Sequence, residues 1–581
     1  MRARHLVAAL GTVILAGIAP GTALAGDPVM PLSELRPGMQ CTGYSVIRGT
    51  AISEFDVEIL DIVSGDASAN DGPRILIRVS GDAVDRTGVG PGFSGSPIYC
   101  DGRNAGAISE AIGEYGGKTV LATPIEEILA NPPDAPRGAP IARRARIGRV
   151  LPLAEPLTVS GLDRGLARRL TEAGAKARRT VLAAPAMPLT PFPALPPRPG
   201  SAMSVGYSSG DLAVGAVGTV AYVDGDRVWG FGHPFENSGL RALLLQDAYV
   251  YTVISNPNIG DETGSTYKLA AVGHDLGTIS NDATGAVVGR AGPTPPTTPV
   301  RIFSEDEDTG EQAALASRVV DETDAGTPTG SSALSFVAPL ALAQGASAIL
   351  RSAPGKLSGT VCIQISLRER KQPLRVCNRY VSAIAPSDPE AGANIVAAGG
   401  ASDALAALTE LDEYKPRALH VTEFAARVKL HRGLRQAFLR SVELPRRVRP
   451  GRRVRARLHL QVVRGPRITR SFRLRIPSSL RRGRRRLTLV GRDVDDPDSD
   501  LFGALIDTIT IGGDEEGGSS GREGARSLDQ LERRVRSIAR YDGIRLHAGG
   551  ERTRAYRDAD LRISGRASRV VRVVRVVRKR H

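Results

Sequence analysis

Residues 90–102 read GPGFSGSPIYCDG: two serines set among glycines and a proline, then a short apolar run closed by Asp101-Gly102. GFSGSP, residues 92–97, can supply a sharp turn at Ser94, and Gly92 has no side chain to block the approach to it. Asp-Gly is a two-residue hairpin signal, so SPIYC and the RNAGAI that follows read as paired strands. The stretch is a β-hairpin with a small-residue loop on its leading strand. A serine so placed is an ordinary turn residue or a nucleophile. The second use needs backbone N–H groups aimed at a developing oxyanion and a base within hydrogen-bond reach.

On either side, SEFDVEILDIV, RILIRVS and KTVLATPI are Val/Ile/Leu runs bounded by Gly, Asp or Asn, the patterning of strands. With the hairpin they make a β lobe at 26–135. Residues 136–200 form a connector, in which GLDRGLARRLTEAGAKA predicts one helix and AAPAMPLTPFPALPPRPG a stiff, extended linker. A second β lobe at 201–300 holds AVGTVAYVDGDRVWGFGHPF, with strands either side of a VDGD turn. Residues 301–385 are again β-rich, with a strand pair around Cys362 and Cys377. Small residues at 386–420 predict a flexible joint. From 421 to 581 arginine alternates with apolar residues at period two, which predicts a basic β-sandwich. Within it, GGDEEGGSSGREGARS has the composition of a disordered loop, and Ser527 is placed to cap a short amphipathic helix. The fold class is mostly β, in several units, as 581 residues require.

Arg2 and Arg4, an apolar run from Leu6 to about Ile18, and Ala23-Leu24-Ala25 together predict a secretory signal peptide at 1–25. Beyond it no segment approaches the roughly 18 to 20 apolar residues that span a bilayer, so the expected location is secreted or cell envelope. The four cysteines lack C-x-x-C spacing and are expected to pair rather than bind metal. Cys362 would join Cys377 across its strand pair, leaving Cys41 for Cys100. The net charge of +16 is uneven: about −5 over residues 1–400 and about +21 over 401–581. Anionic cell-wall polymer or a membrane surface would therefore meet the C-terminal third. Export and the lack of aromatic stacking positions argue against nucleic acid. DVDDPDSD lacks the glycine and the glutamate of an EF-hand loop and reads as an acidic loop balancing nearby arginines. The tail SRVVRVVRVVRKRH repeats arginine every third residue, which makes neither a strand face nor a helix stripe. No metal or cofactor is expected.

Of the eight histidines, His5 falls in the signal segment, and His420, His431, His459, His547 and His581 fall in the basic C-terminal region. His233 and His274 remain as bases for Ser94. His233 lies in WGFGHPFENSG, directly after a strand and between Gly232 and Pro234, which fixes the backbone and presents the ring. It is the better candidate. The N–H groups of Gly92 and Ser94 would form the oxyanion hole.

Five separate segments resemble the SpoIVB peptidase family, named after stage IV sporulation protein B. They are LRPGMQCTGYSVIRGTAISEFDVEILDIV, GVGPGFSGSPIYCDGRNAGAISEAI, VLATPIEEIL, SVGYSSGDLAVGAVGTVAYVDGDRVWGFGHPF and STYKLAAVGHDLGTISNDATGAVVG, within residues 31–290. The resemblance implies a secreted serine peptidase with a chymotrypsin-like, two-lobed β-barrel module acting on a protein or peptide substrate. It also implies that Ser94 is the nucleophile and His233 the general base. In the sporulation enzyme the histidine segment comes first; here the serine does, so the halves are circularly permuted. Roles and not chain order define a triad, so this is compatible with function. The family's PDZ-like module has no counterpart in this chain. Where the sporulation enzyme has an aspartate shortly before its serine motif, Ser80 falls nearest, with Asp82 and Asp85 beside it. Asp82 is taken as the acidic member. A Ser-His dyad, or Asp226 or Asp261 of the histidine lobe, stays open. The expectation is a serine endopeptidase whose basic sandwich localises it; the rival is an inactive protease-fold binding or envelope scaffold. Convergence of Ser94 and His233, with a carboxylate behind the imidazole, favours the first, and burial of either group the second.

Overall fold

The structure is a computed structural model and describes residues 26–64, 72–112, 117–134, 150–152, 156–177, 179–184, 191–255, 266–325, 332–349, 356–383, 390–491, 501–509, 524–538 and 543–574. The signal segment, Asp261, DVDDPDSD, most of GGDEEGGSSGREGARS and the end of the basic tail lie outside the described residues. The chain is mostly β, 54% strand against 16% helix, as the period-two patterning requires.

Six strands build the first lobe: β1 (Gln40–Arg48), β2 (Ala51–Val63), β3 (Arg74–Ser80), β4 (Pro97–Cys100), β5 (Arg103–Ile112) and β6 (Thr119–Pro124). They pair in the order β4-β1-β2-β3-β6-β5, and pairing of β4 with β5 closes the ring into a barrel. Its interior holds Val57, Ile59, Ile75, Ile77, Val79, Val120 and, from the serine loop, Phe93, all fully buried. Asp101 and Gly102 both take positive φ, 49° and 71°, as a hairpin turn matched to strand twist demands. The Cys41–Cys100 disulfide ties β1 to β4 beside the Thr42–Tyr99 pair.

Helix α1 (Ile125–Leu129) follows β6 at the end of the first lobe, and the connector carries β7 (Val150–Pro152), β8 (Leu157–Ser160), α2 (Arg164–Lys176) and β9 (Val181–Ala184). Helix α2 starts where the sequence places it, with the Asp163 carboxylate accepting from the Gly165 and Leu166 amides. The second lobe comprises β10 (Ala202–Gly210), β11 (Ala213–Asp224), β12 (Arg227–Gly230), β13 (Gly239–Ile254), β14 (Tyr267–Ala283) and β15 (Ala286–Ala291). Neighbours run β10-β13-β14-β15-β12-β11, and β10 pairs again with β11, so this lobe is also a closed six-stranded ring.

The end of β10 pairs onward into a layer of β16 (Thr297–Asp306), β17 (Gln312–Val320), α3 (Ala333–Ala348), β18 (Lys356–Leu367), β19 (Arg370–Ala383), α4 (Glu390–Asp412) and β20 (Val421–Arg432). Cys362 and Cys377 face each other across β18 and β19 and form the second disulfide. The expected flexible joint at 386–420 is mostly helix α4, which corrects the reading. Its small residues serve close packing: a methyl at Gly400 would lie 2.7 Å from Leu342 of α3, and one at Gly399 would collide with the Tyr380 ring. Strand β20, read as the start of the C-terminal unit, instead pairs with β16 and β18.

The sandwich therefore begins after β20, with β21 (Gln436–Glu443), β22 (Arg447–Val448), β23 (Arg453–Val462), β24 (Arg467–Arg475) and β25 (Gly483–Gly491). Helices α5 (Leu501–Ile509) and α6 (Leu528–Ser537) follow, then β26 (Gly543–Ala548), β27 (Glu551–Arg557), β28 (Arg562–Ser564) and β29 (Arg566–Val573). Sheets β24-β23-β21-β28 and β22-β29-β25-β26-β27 share a core of Leu458, Leu460, Leu474, Leu487, Leu489 and Ile544. Arg453, Arg455 and Arg457 point outward, as alternation dictates, and Arg484 to Arg486, at the start of β25, are all exposed. Leu505, Ile506, Leu531 and Val535 of α5 and α6 turn back onto the α3/α4 core. Ser527 caps α6 as expected, its Oγ accepting from the Gln530 amide at 3.2 Å. No helix among the described residues is long and apolar enough to cross a membrane.

Candidate active site

The serine loop joins β3 to β4 through two consecutive turns. The Phe93 amide donates to the Gly90 carbonyl at 3.0 Å and the Ser96 amide to the Phe93 carbonyl at 2.8 Å. Gly92 and Gly95 occupy the third position of each turn with φ of 94° and 90°, the backbone that makes glycine the fitting residue there. Ser94 is thus the leading corner of the second turn. The loop is held from both sides. The Gly95 amide donates to the Ile108 carbonyl of β5 at 2.8 Å, and the Ser94 carbonyl accepts from the Thr219 amide of β11 at 2.8 Å.

The histidine loop leaves β12 through Phe231 and Gly232, both at φ 68°. A bulky residue in left-handed backbone is uncommon and signals a conformation imposed by its surroundings. Here the surroundings come from both lobes. The Phe231 amide donates to the Thr219 carbonyl of its own lobe at 3.2 Å, and the Thr123 hydroxyl of β6, in the serine lobe, donates to the Gly232 carbonyl at 2.7 Å. One peptide segment, Thr219, therefore bonds Ser94 through its N–H and Phe231 through its carbonyl. A methyl at Gly95 would lie 2.6 Å from the Phe231 nitrogen, which shows how closely the two loops approach.

His233 Nδ1 lies 2.7 Å from the Pro234 carbonyl oxygen. A carbonyl can only accept, so Nδ1 carries a proton, which leaves Nε2 as the basic atom whenever the ring is neutral. The backbone thus stands where a triad carboxylate would. Asp82, expected in that role, is exposed in the turn after β3, so its assignment is corrected. Local sequence spacing put it near the serine, but the turn carries it to the surface. Ser80 is also exposed, Asp85 is paired with Lys118 at 2.7 Å, and Asp226 is paired with Arg290 at 3.1 Å.

Asp282, at the end of β14, was not singled out from sequence because SND before ATG looks like an ordinary turn. It accepts the amides of Phe235, Glu236 and Ser238 at 2.7, 2.8 and 3.1 Å and so pins the histidine loop. Burial pushes its carboxyl up to about 6, against the opposing pull of Arg241 and the amides. Beside it Glu236 meets Arg241 at 2.7 Å and Arg179 at 3.4 Å, and accepts the Tyr207 hydroxyl; Arg241 in turn meets Glu322 at 2.8 Å.

Ser94 and His233 are 0% and 1% exposed. Both groups are thus buried, as expected of a scaffold, while the loops that carry them adjoin at Thr219. His274, the other histidine weighed, lies elsewhere on β14 with Nδ1 3.1 Å from Asp247 and its ring edge-on to Phe192. Among the described residues no group of three His, Cys, Asp or Glu side chains could hold a metal ion. No family model, no curated protein and no solved structure matches the chain.

Proposed function

We propose that this chain is an exported serine endopeptidase of the SpoIVB type, described here with its lobes closed over the site. The observation that carries the reading is the meeting of the Ser94 and His233 loops on the two sides of Thr219, between two closed six-stranded barrels. In the reaction, Ser94 Oγ attacks the peptide carbonyl as His233 Nε2 takes its proton. The amides of Gly92 and Ser94 receive the oxyanion, and the imidazolium returns the proton to the leaving amine. With the Pro234 carbonyl orienting the ring, the machinery is a Ser-His dyad. It forgoes the stabilisation that a carboxylate gives the imidazolium, worth about 10⁴-fold in the serine-protease template, so turnover is slow. Burial requires the lobes to part before a substrate enters. Two disulfides support an oxidising compartment. The arginine-studded sandwich supports localisation on an anionic wall polymer or membrane surface.

The second reading, an inactive protease-fold scaffold, is favoured by the burial of both groups and the carbonyl behind the ring. Fluorophosphonate labelling separates the two. The first expects wild-type protein to be labelled and Ser94→Ala and His233→Ala to be blank. No labelling of the wild type, including under mild denaturant that loosens the lobes, rejects the peptidase.

A further inference from the structure

Lys268, near the start of β14, is buried with only 3% of its surface exposed, and its side chain runs under the serine loop of the opposite lobe. Its Nζ lies 2.8 Å from Ser45 Oγ, 3.1 Å from Thr219 Oγ1 and 4.6 Å from the centre of the Phe93 ring. Nζ donates to both hydroxyls, which must then send their own hydrogens elsewhere. Thr219 donates to the Gly92 carbonyl at 3.0 Å, and Ser45 has Ser96 Oγ at 2.8 Å. The Lys268 main chain adds a third tie, its N–H donating to the Pro91 carbonyl at 3.0 Å.

These contacts act on the orientation of peptide planes. Pro91 O and Gly92 N–H belong to one rigid plane and point in opposite directions. Holding the carbonyl from Lys268 aims the Gly92 amide the other way. The Ser94 amide shares a plane with the Phe93 carbonyl, which the Ser96 amide holds in the second turn, and Ser96 is tied by its hydroxyl to Ser45. Gly92 leaves room for the lysine stem: a methyl there would lie 2.8 Å from Lys268 Cβ.

We infer that Lys268 is the positioning residue of the oxyanion loop: reaching across from the histidine barrel, it sets the direction of the Gly92 and Ser94 amides through Thr219 and Ser45. The inference rests on the peptidase reading for its catalytic consequence but not for its structural one. Donors are aimed correctly only while the lobes are engaged, so closing on a substrate would complete the site.

The test uses the full chain with Lys268→Met, Thr219→Val and Thr219→Ser. Two quantities are read: the rate of fluorophosphonate labelling at saturating probe, and amide hydrogen exchange across residues 88–98, with the β2 and β3 amides as reference. Lys268→Met should slow labelling by about 10²- to 10³-fold, the usual loss for a misdirected oxyanion donor, with probe affinity little changed. Loop exchange should rise roughly tenfold or more while the reference strands stay protected. Thr219→Val should behave likewise, and Thr219→Ser, which keeps the hydroxyl, should recover most of the loss. That pair decides the matter if Lys268→Met does not fold. Labelling of Lys268→Met at the wild-type rate overturns the inference and leaves the peptidase standing. If the wild type is not labelled at all, the peptidase reading fails, and unchanged loop exchange in Lys268→Met overturns the inference as well.

Discussion

Replacing Asp282 with asparagine separates the cost of burying a charge from the work that charge does in the histidine loop. The folded carboxyl titrates near 6 because it is buried, against an ordinary value of 3.8. The native state thus binds this proton more tightly than the unfolded chain does. Its contribution to stability is greatest below about pH 4 and is lost as pH rises through 6. A difference of about two pH units corresponds to roughly 3 kcal/mol, the amount by which Asp282 should lower wild-type stability between pH 4 and pH 7.5. Asp282→Asn removes that slope. It also sets an amide NH2 against either the Phe235 amide or the Glu236 and Ser238 amides, orphaning one or two donors at about 1 to 3 kcal/mol each. At pH 7.5 the two effects nearly cancel in overall stability, while the loop itself loosens. Trp229, the single tryptophan, is buried in the second barrel with Nε1 2.8 Å from the Asn131 carbonyl, so its fluorescence follows unfolding of that lobe in urea. The expected result is a wild-type midpoint that falls from pH 5 to pH 7.5 by more than the variant's. Exchange at residues 231–239 should be faster in the variant. Equal pH dependence in the two proteins would falsify the assigned role of the buried carboxylate.

Gly95→Ala should cost at least about 2 kcal/mol, because the residue sits at φ 90° and the added methyl meets the Thr219 carbonyl; urea unfolding followed at Trp229 checks it. Reducing the Cys362–Cys377 bridge, or Cys362→Ser with Cys377→Ser, should destabilise the central layer by about 3 kcal/mol for a loop of this length, read as a lower unfolding midpoint. Full-length protein should bind an anionic polymer with an affinity that falls steeply with added NaCl, and changing Arg484, Arg485 and Arg486 together to alanine should weaken it; salt-independent binding would count against an electrostatic surface.

The elements legible in the sequence were those whose signal is local. The Asp101-Gly102 turn, the glycines around Ser94, the Asp163 and Ser527 caps and the Cys362 strand pair each announce themselves within a few residues. Helices α3 and α4 did not, because a helix buried on nearly every side has no polar face and so no period to detect. Small residues in α4 resembled a linker for the same reason they pack well. Lys268 and Thr219 were invisible as site residues. Each occupies an ordinary strand position, and only the closure of the second ring turns both toward the other lobe. Asp82 failed in the opposite direction: proximity along the chain suggested proximity to the serine, and the turn after β3 faces water.

On the proposed reading, the barrel architecture accommodates either order of the halves. Each ring is made of six strands consecutive in the chain, so each lobe completes its own hydrogen bonding without the other. The site belongs to neither. Its groups are oriented by bonds that cross between lobes: Thr219 to Ser94, Lys268 to Pro91, and Thr123 to Gly232. Chain order is irrelevant to such contacts as long as the connector spans the two barrels. The same bonds bury the serine and the imidazole, however, so on the proposed reading orienting these groups and admitting a substrate oppose each other. Activity on that reading is controlled by the strength of the lobe interface. Weakening that interface away from the loops, as at the Gly49–Val250 bridge, admits substrate, whereas weakening it at Thr219 removes the geometry that the substrate needs.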